Sequence, residues 1–242
     1  MPRNVLAEMT RDEIAGRLAE HPVALLPLGA TEQHGHHLPL GTDNYLAETY
    51  ASRIAERVGG LVLPTIPYGY SWVWKDVPGT VTVGHRTLDA YLSDVIESVE
   101  RSGFGMVVLV DGHQSNVATM KYVARDYAAH SDFPVVRLFY PNLGTVRAES
   151  CESDTWFGMI HACEFETSLM LDSRPELVDM SRAEREYPEF SEEYTYGAEQ
   201  LGNISESGVY GDPSLASTDK GQVMFERFVD EAVRIIEKFR AQ

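Results

Sequence analysis

Two stretches of the chain are apolar without interruption. Residues 23–28 and 106–110 show no polar alternation, which predicts strands buried on both faces of a sheet. Elsewhere the apolar positions recur every three or four residues. Leu46, Tyr50, Ile54 and Val58 form one helical stripe, stopped by Gly59 and Gly60, with Thr42 or Asp43 as its predicted cap. Leu88, Tyr91, Leu92, Val95, Ile96 and Val99 form a second, capped by Thr87 and ended by Gly103. Thr10-Arg11-Asp12-Glu13 fits a capping box opening a short helix through Ala19. Further helices are predicted over 117–129 and from Thr218 through about Phe239. Shorter strands are predicted at 61–63, ended by Pro64, at 80–83 and at 134–140. Residues 141–160 show no clear period, and the acidic, polar stretch 181–208 reads as an irregular surface excursion.

Strand, loop and helix alternate along this pattern. That order implies an α/β fold with a mostly parallel sheet covered on both faces. Ligands of such sheets sit beyond the carboxyl ends of the strands. The loops at 32–43 and 111–116 both follow strands, so they are expected to meet at one rim. No repeat, low-complexity segment or domain linker interrupts residues 1–242, which read as one domain.

Composition narrows the partners. A net charge of -17 argues against a phosphate-backbone partner, which needs clustered Lys and Arg, and against anionic lipid. No apolar run approaches the ~20 residues that cross a bilayer. Residues 1–10 hold no apolar signal-peptide core, and Cys151 and Cys163 make no disulfide framework, so a reducing cytoplasm is the expected setting.

The chemistry concentrates after the first buried strand. Glu32, His34, His36, His37 and Asp43 fall within twelve residues, among Gly35, Pro39 and Gly41 that let the chain turn. Glu32 and His34 are two apart, so an extended segment projects them to the same side. With His113 and Glu166 they make five potential ligands from three loops, a nitrogen and oxygen mixture suited to borderline and hard divalent metals. One ion needs only three or four of them; five, with Asp43 able to bridge, suggest two ions. His161, five residues before Glu166, is the candidate proton shuttle, and a capping or core-edge role is its alternative. Tyr68, Tyr70, Trp72 and Trp74 are candidates to wall a pocket. Cys163 with His161 or His113 is a competing nucleophile reading, although Cys is most often a small buried hydrophobe. Ser115 lacks the Gly-x-Ser-x-Gly elbow of a serine hydrolase, and no dinucleotide or Walker motif is present.

These residues resemble the creatininase family of metal-dependent amidohydrolases over nearly the whole chain. The matching stretches are 29–39 with Asp43, Pro78-Gly79-Thr80, Gly112-His113 with Asn116, 161–171, and Gly211-Asp212-Pro213 with Lys220-Gly221. The resemblance implies a three-layer α/β/α sandwich and a homohexamer built as a trimer of dimers. It implies two divalent metal ions, Zn with Mn or Fe, and hydrolysis of cyclic or linear amide C–N bonds in a small-molecule substrate. By position it implies that Glu32 and His113 hold one ion and His34 the other, that Asp43 bridges, and that His161 transfers the proton. Three positions depart from the creatininases themselves. Ser115 replaces a metal-binding Glu, Gln114 replaces a Tyr, and Phe157 replaces a pocket Trp, which points away from creatinine as substrate. Glu166 is the candidate to fill the ligand position lost at Ser115; its competing role is a helix cap. Relatives without that Glu include formamide-cleaving enzymes of flavin and deazaflavin precursor synthesis and the peptidase that matures mycofactocin.

Two function classes remain at this point. One is a metallohydrolase of amide-type C–N bonds. The other is a non-catalytic metal-binding or assembly protein of the same fold, which would need neither His161 nor the aromatic loop.

Overall fold

The computed structural model describes residues 4–20, 22–156 and 158–241. Its sheet is parallel. β1 (Val23–Leu28) and β3 (Met106–Asp111) lie at the centre, with β2 (Leu61–Val62) beside β1 and β4 (Val135–Leu138) beside β3. Every residue of β1 and β3 is buried, because helices cover both faces and leave no solvated side to call for polar alternation.

The period-two geometry of a strand sends alternate side chains to opposite layers. Val23, Leu25, Val108 and Val110 pack with α2 (Thr42–Val58), α5 (Leu143–Ser150), α6 (Glu164–Ser173) and α8 (Thr218–Arg240). Ala24, Leu26, Leu28, Val107 and Leu109 pack with α3 (His85–Arg101) and α4 (Val117–Tyr127), and α1 (Arg11–Leu18) adds Ile14 and Leu18 at the edge. The result is a three-layer α/β/α sandwich. A smaller cluster of Trp74, Leu201 and Tyr210, joined by Tyr194 of the short α7 (Glu192–Tyr196), lies outside those layers.

Several ends differ from the expectation. The capping box at Thr10 and Glu13 is present. Neither Thr42 nor Asp43 caps α2: Gly41 occupies the cap position, and both fall in the first turn, with the Thr42 hydroxyl donating to Pro39 O. Thr87 likewise lies inside α3, behind Gly84, and Ser217, not Thr218, caps α8. Residues 80–83 contribute one bridge, Val81 to Thr31, and no strand. The stretch 141–160 hides α5, and the excursion 181–208 holds α7.

Candidate active site

The register of the sheet brings the two charged loops together. Leu28 pairs with Asp111 at the last position of β1 and β3, so both following loops leave at the same edge. There the backbones nearly touch. A Cβ on Gly112 would lie 2.3 Å from Asp43 O, so only glycine permits His113 to approach the first turn of α2. Glu166 enters from the first turn of α6. Just before that helix Ala162 holds a left-handed φ of 50°, and its N–H donates to Glu166 Oε2 at 2.5 Å. The Glu166 carboxylate therefore supports the turn that presents His161.

All five predicted ligands, and His161, are buried. His34 Nε2 lies 3.1 Å from Asp43 Oδ1 and 3.9 Å from Glu166 Oε2. On the other side of the same carboxylate, His113 Nδ1 lies 3.0 Å from Asp43 Oδ2 and 3.4 Å from Glu32 Oε1. Backbone carbonyls meet the opposite ring nitrogens: His34 Nδ1 is 3.2 Å from Glu32 O, and His113 Nε2 is 3.0 Å from Tyr70 O. A carbonyl only accepts, so it places the ring proton on that nitrogen and turns the other toward the carboxylates. Ligand atoms of Glu32, Asp43 and His113 come within 4.8 Å of one another, and so do those of His34, Asp43 and Glu166. The two groups share Asp43. Glu32, His34 and His161 form a third such group.

His161 lies between aromatic rings and a glutamine. The Trp74 indole stacks on it at 4.8 Å, and the His34 ring is 4.5 Å away on centroids. Its Nδ1 is 3.5 Å from Glu32 Oε1. Its Nε2 meets the Gln33 side-chain amide at 2.8 Å and Gln33 O at 2.9 Å. A donor and an acceptor at one nitrogen give both the neutral and the charged ring a partner. These groups open onto a cavity of about 220 Å³ bounded also by Met159, Ile160, Tyr194 and Leu201.

Burial and charge act against each other here. Burial pushes the Glu32 carboxyl up and takes Glu166 to about 8. Burial also opposes ionisation of Asp43, but the neighbouring His34 and His113 hold it well below the usual carboxylate range. His34 rises to about 9 because Asp43, Glu166 and Glu32 outweigh the burial that disfavours its charge. His161 falls well below its ordinary value through burial and the repulsion of His34.

The competing nucleophiles fare differently. Burial pushes the Cys163 thiol up to about 11, the reverse of an activated thiolate. Ser115 and Gln114 line the cavity, whereas Phe157 lies outside the described residues. Of the loop aromatics, Trp74 walls the cavity, and Tyr68 is 47% exposed. Tyr194 and Leu201 were missed because nothing in an acidic, irregular stretch marks them as cavity walls. Gln33 was missed as well, although its place between Glu32 and His34 marked it.

The donor set suits cations. Both oxygens of Glu32 and Oδ2 of Asp43 are buried and receive no hydrogen bond, which is costly for carboxylates unless a positive charge faces them. Imidazole and carboxylate together are ligands for Zn and for harder divalent ions. The residues present therefore fit a pair of such ions.

A family model described as creatininase, creatinine amidohydrolase, matches residues 7–236. The creatinine amidohydrolase of Pseudomonas putida is 32% identical over 237 residues, covering 91% of each chain. The mycofactocin precursor peptide peptidase of Mycolicibacterium smegmatis is 29% identical over 236 residues, covering 90% of this chain and 86% of that one. A solved creatininase variant of Zn–Zn type superposes with a TM-score of 0.85 at 31% identity, covering 99% of both chains.

Proposed function

Because the chain belongs to the creatininase family of amidohydrolases, we propose that it hydrolyses an amide-type C–N bond of a small molecule at two divalent metal ions, Zn with Mn or Fe. The observation that carries this reading is the shared Asp43. Its Oδ1 faces His34 and its Oδ2 faces His113, so one buried carboxylate serves two ligand groups at once. Glu32 and His113 would hold one ion, His34 and Glu166 the other, and Asp43 both. Such a pair of ions polarises a carbonyl and brings the pKa of water toward neutrality.

The chain's own residues do the rest. With Asp43 counted twice, the two groups use five residues and leave His161 over. Its Nε2 can donate to Gln33 O, which leaves Nδ1, 3.5 Å from Glu32 Oε1, as the nitrogen that faces the ligand groups and can take a proton there and return it to the leaving nitrogen. Trp74 holds the ring flat, and Tyr194 and Leu201 help exclude water from the cavity. A cavity of about 220 Å³ admits a small lactam, a formamide or the end of a peptide. Residues 1–242 act as one catalytic domain in this reading, assembled as a homohexamer, which sedimentation would check.

A second reading is a peptidase on a short precursor, which the mycofactocin peptidases among the relatives favour. One experiment addresses both, and also the non-catalytic alternative. Metal content is measured on the purified protein, and hydrolysis is screened across lactams, formamides and short peptides with and without chelator. About two ions per chain with chelator-sensitive turnover of a lactam or formamide supports the first reading. Turnover of peptides alone supports the second. Bound metal with no turnover anywhere overturns both.

A further inference from the structure

His113 Nε2 has its acceptor in a backbone carbonyl, Tyr70 O, at 3.0 Å. That carbonyl belongs to a loop with no regular element of its own, between β2 and the short turn Trp72–Trp74. Such a loop does not hold a carbonyl in place unless something braces it. Two side chains do. The Tyr70 N–H donates to Asn116 Oδ1 at 2.9 Å, and the Ser71 N–H, in the same peptide as the carbonyl, donates to Thr82 Oγ1 at 2.8 Å.

Asn116 is fully buried and ties the loop to the sheet. Its Nδ2 donates to Gly29 O, just past β1, at 3.0 Å and to Asp111 Oδ1, at the end of β3, at 3.1 Å. Asp111 Oδ1 also accepts the His113 N–H at 3.1 Å. One amide thus joins the ends of both central strands to the loop that meets the His113 ring. The approach is tight: a Cβ on Gly69 would lie 2.4 Å from Gly29 O and 2.6 Å from Asn116 Oδ1. This glycine is required for the loop to come close enough.

We propose that the Tyr70–Ser71 peptide, braced by Asn116 and Thr82, fixes the tautomer and aim of His113 and so sets the cation affinity of the Glu32–Asp43–His113 group. The proposal rests on the two-ion reading above. Asn116 and Thr82 are positioning residues: neither lies among the ligand groups, and both act through a carbonyl that keeps the proton on Nε2 and leaves Nδ1 toward Glu32 and Asp43. The His34 group has its own carbonyl, Glu32 O, and is not braced by this loop. Loss of the brace therefore affects one group and spares the other.

The test is Zn titration of chelator-stripped protein by calorimetry, in wild type, Thr82→Val, Thr82→Ser and Asn116→Ala. Thr82→Val keeps the shape and removes the acceptor, so it remains informative even where Asn116→Ala fails to fold. The expected result is that Thr82→Val weakens one of two Zn equivalents by about 10-fold or more, the usual effect of removing a group that orients a ligand. The other equivalent stays within about twofold by the same reasoning, and Thr82→Ser restores the first. A folded Asn116→Ala shows the same split. Two unchanged equivalents in Thr82→Val, or equal weakening of both, overturns the proposal. A wild type that binds fewer than two equivalents overturns the two-ion reading first, and this inference with it.

Discussion

The Trp74 indole lies nearly parallel to the His161 imidazole, with centroids 4.8 Å apart and planes 22° from parallel. Trp74 is itself packed against Tyr210 and Leu201, so the wall beside the histidine is supported from behind. Trp74→Ala should lower kcat/KM about tenfold or more, since ~1.5 kcal/mol of lost ring stacking converts to about that factor. Metal content should not change, because Trp74 offers no ligand. Trp74→Phe should recover part of the rate. A Trp74→Ala enzyme with wild-type kcat/KM would show that the stack does not matter.

His161 should govern turnover and not metal retention. His161→Ala is expected to reduce kcat by roughly 10²–10⁴, the usual contribution of general acid–base catalysis. The third group of close ligand atoms, Glu32, His34 and His161, makes the alternative concrete. If elemental analysis of His161→Ala shows an ion lost, His161 is a ligand and the shuttle assignment fails.

Asp43→Asn keeps the shape of the side chain and removes the negative charge that both groups share. Loss of at least one ion and of nearly all activity is expected. The variant fails the prediction if it retains both ions and ordinary turnover.

Glu166 does two things in the structure, and the two can be separated. One oxygen accepts the Ala162 N–H, and the carboxylate lies 3.9 Å from His34 Nε2. Glu166→Gln keeps an acceptor for Ala162 and loses the charge. It should therefore bind one ion more weakly while losing little thermal stability. Two sites of unchanged affinity, with a lower melting temperature, would make Glu166 a support for the turn only. Ser115→Glu in that background tests whether a carboxylate from the other loop can replace it.

The parts of this fold legible in the sequence are those where one physical requirement dominates. Residues 23–28 and 106–110 carry no polar position and are too short for a buried helix, so a central strand buried on both faces is the reading that fits them best. Glu32, His34 and Asp43 were legible as a group because so much polar chemistry directly after such a strand has few structural explanations. Helix starts were less legible. Thr42, Thr87 and Thr218 all have capping side chains, yet Gly41, Gly84 and Ser217 hold those positions. The loop geometry before each helix decided between neighbouring candidates. α5 was invisible because the chain enters it through Tyr140 and Asn142 at positive φ, and only Val146 and Arg147 of its residues are buried. So short a buried face leaves no periodic signal. Leu201 and Tyr194 reach the cavity only through the path of a long irregular segment, which local pattern does not encode.

An ion pair outside the ligand groups, between buried Glu164 and half-buried Lys220, predicts how the fold responds to acid. Glu164 side-chain oxygens accept from Lys220 Nζ at 2.5 Å and from the N–H groups of Glu152 and Ser153 at 2.9 and 2.7 Å, with the carboxylate fully buried. The contact fastens α6 to the start of α8 and to the segment after α5. Burial alone would raise the Glu164 pKa, but the bonds from Lys220, Ser153 and Glu152 prevail and lower it from 4.5. A depressed carboxylate contributes stability above its unfolded value and loses it as pH falls through the folded one. The contribution is therefore complete at neutral pH and drains away below about 4.5. Glu164→Gln should cost about 1.5–3 kcal/mol at pH 7, the range for a hydrogen bond to a charged group. Urea midpoints measured for wild type and variant from pH 7 to pH 3 should converge at the acid end. Curves that stay equally separated across that range would mean the carboxylate acts by shape alone, not by charge.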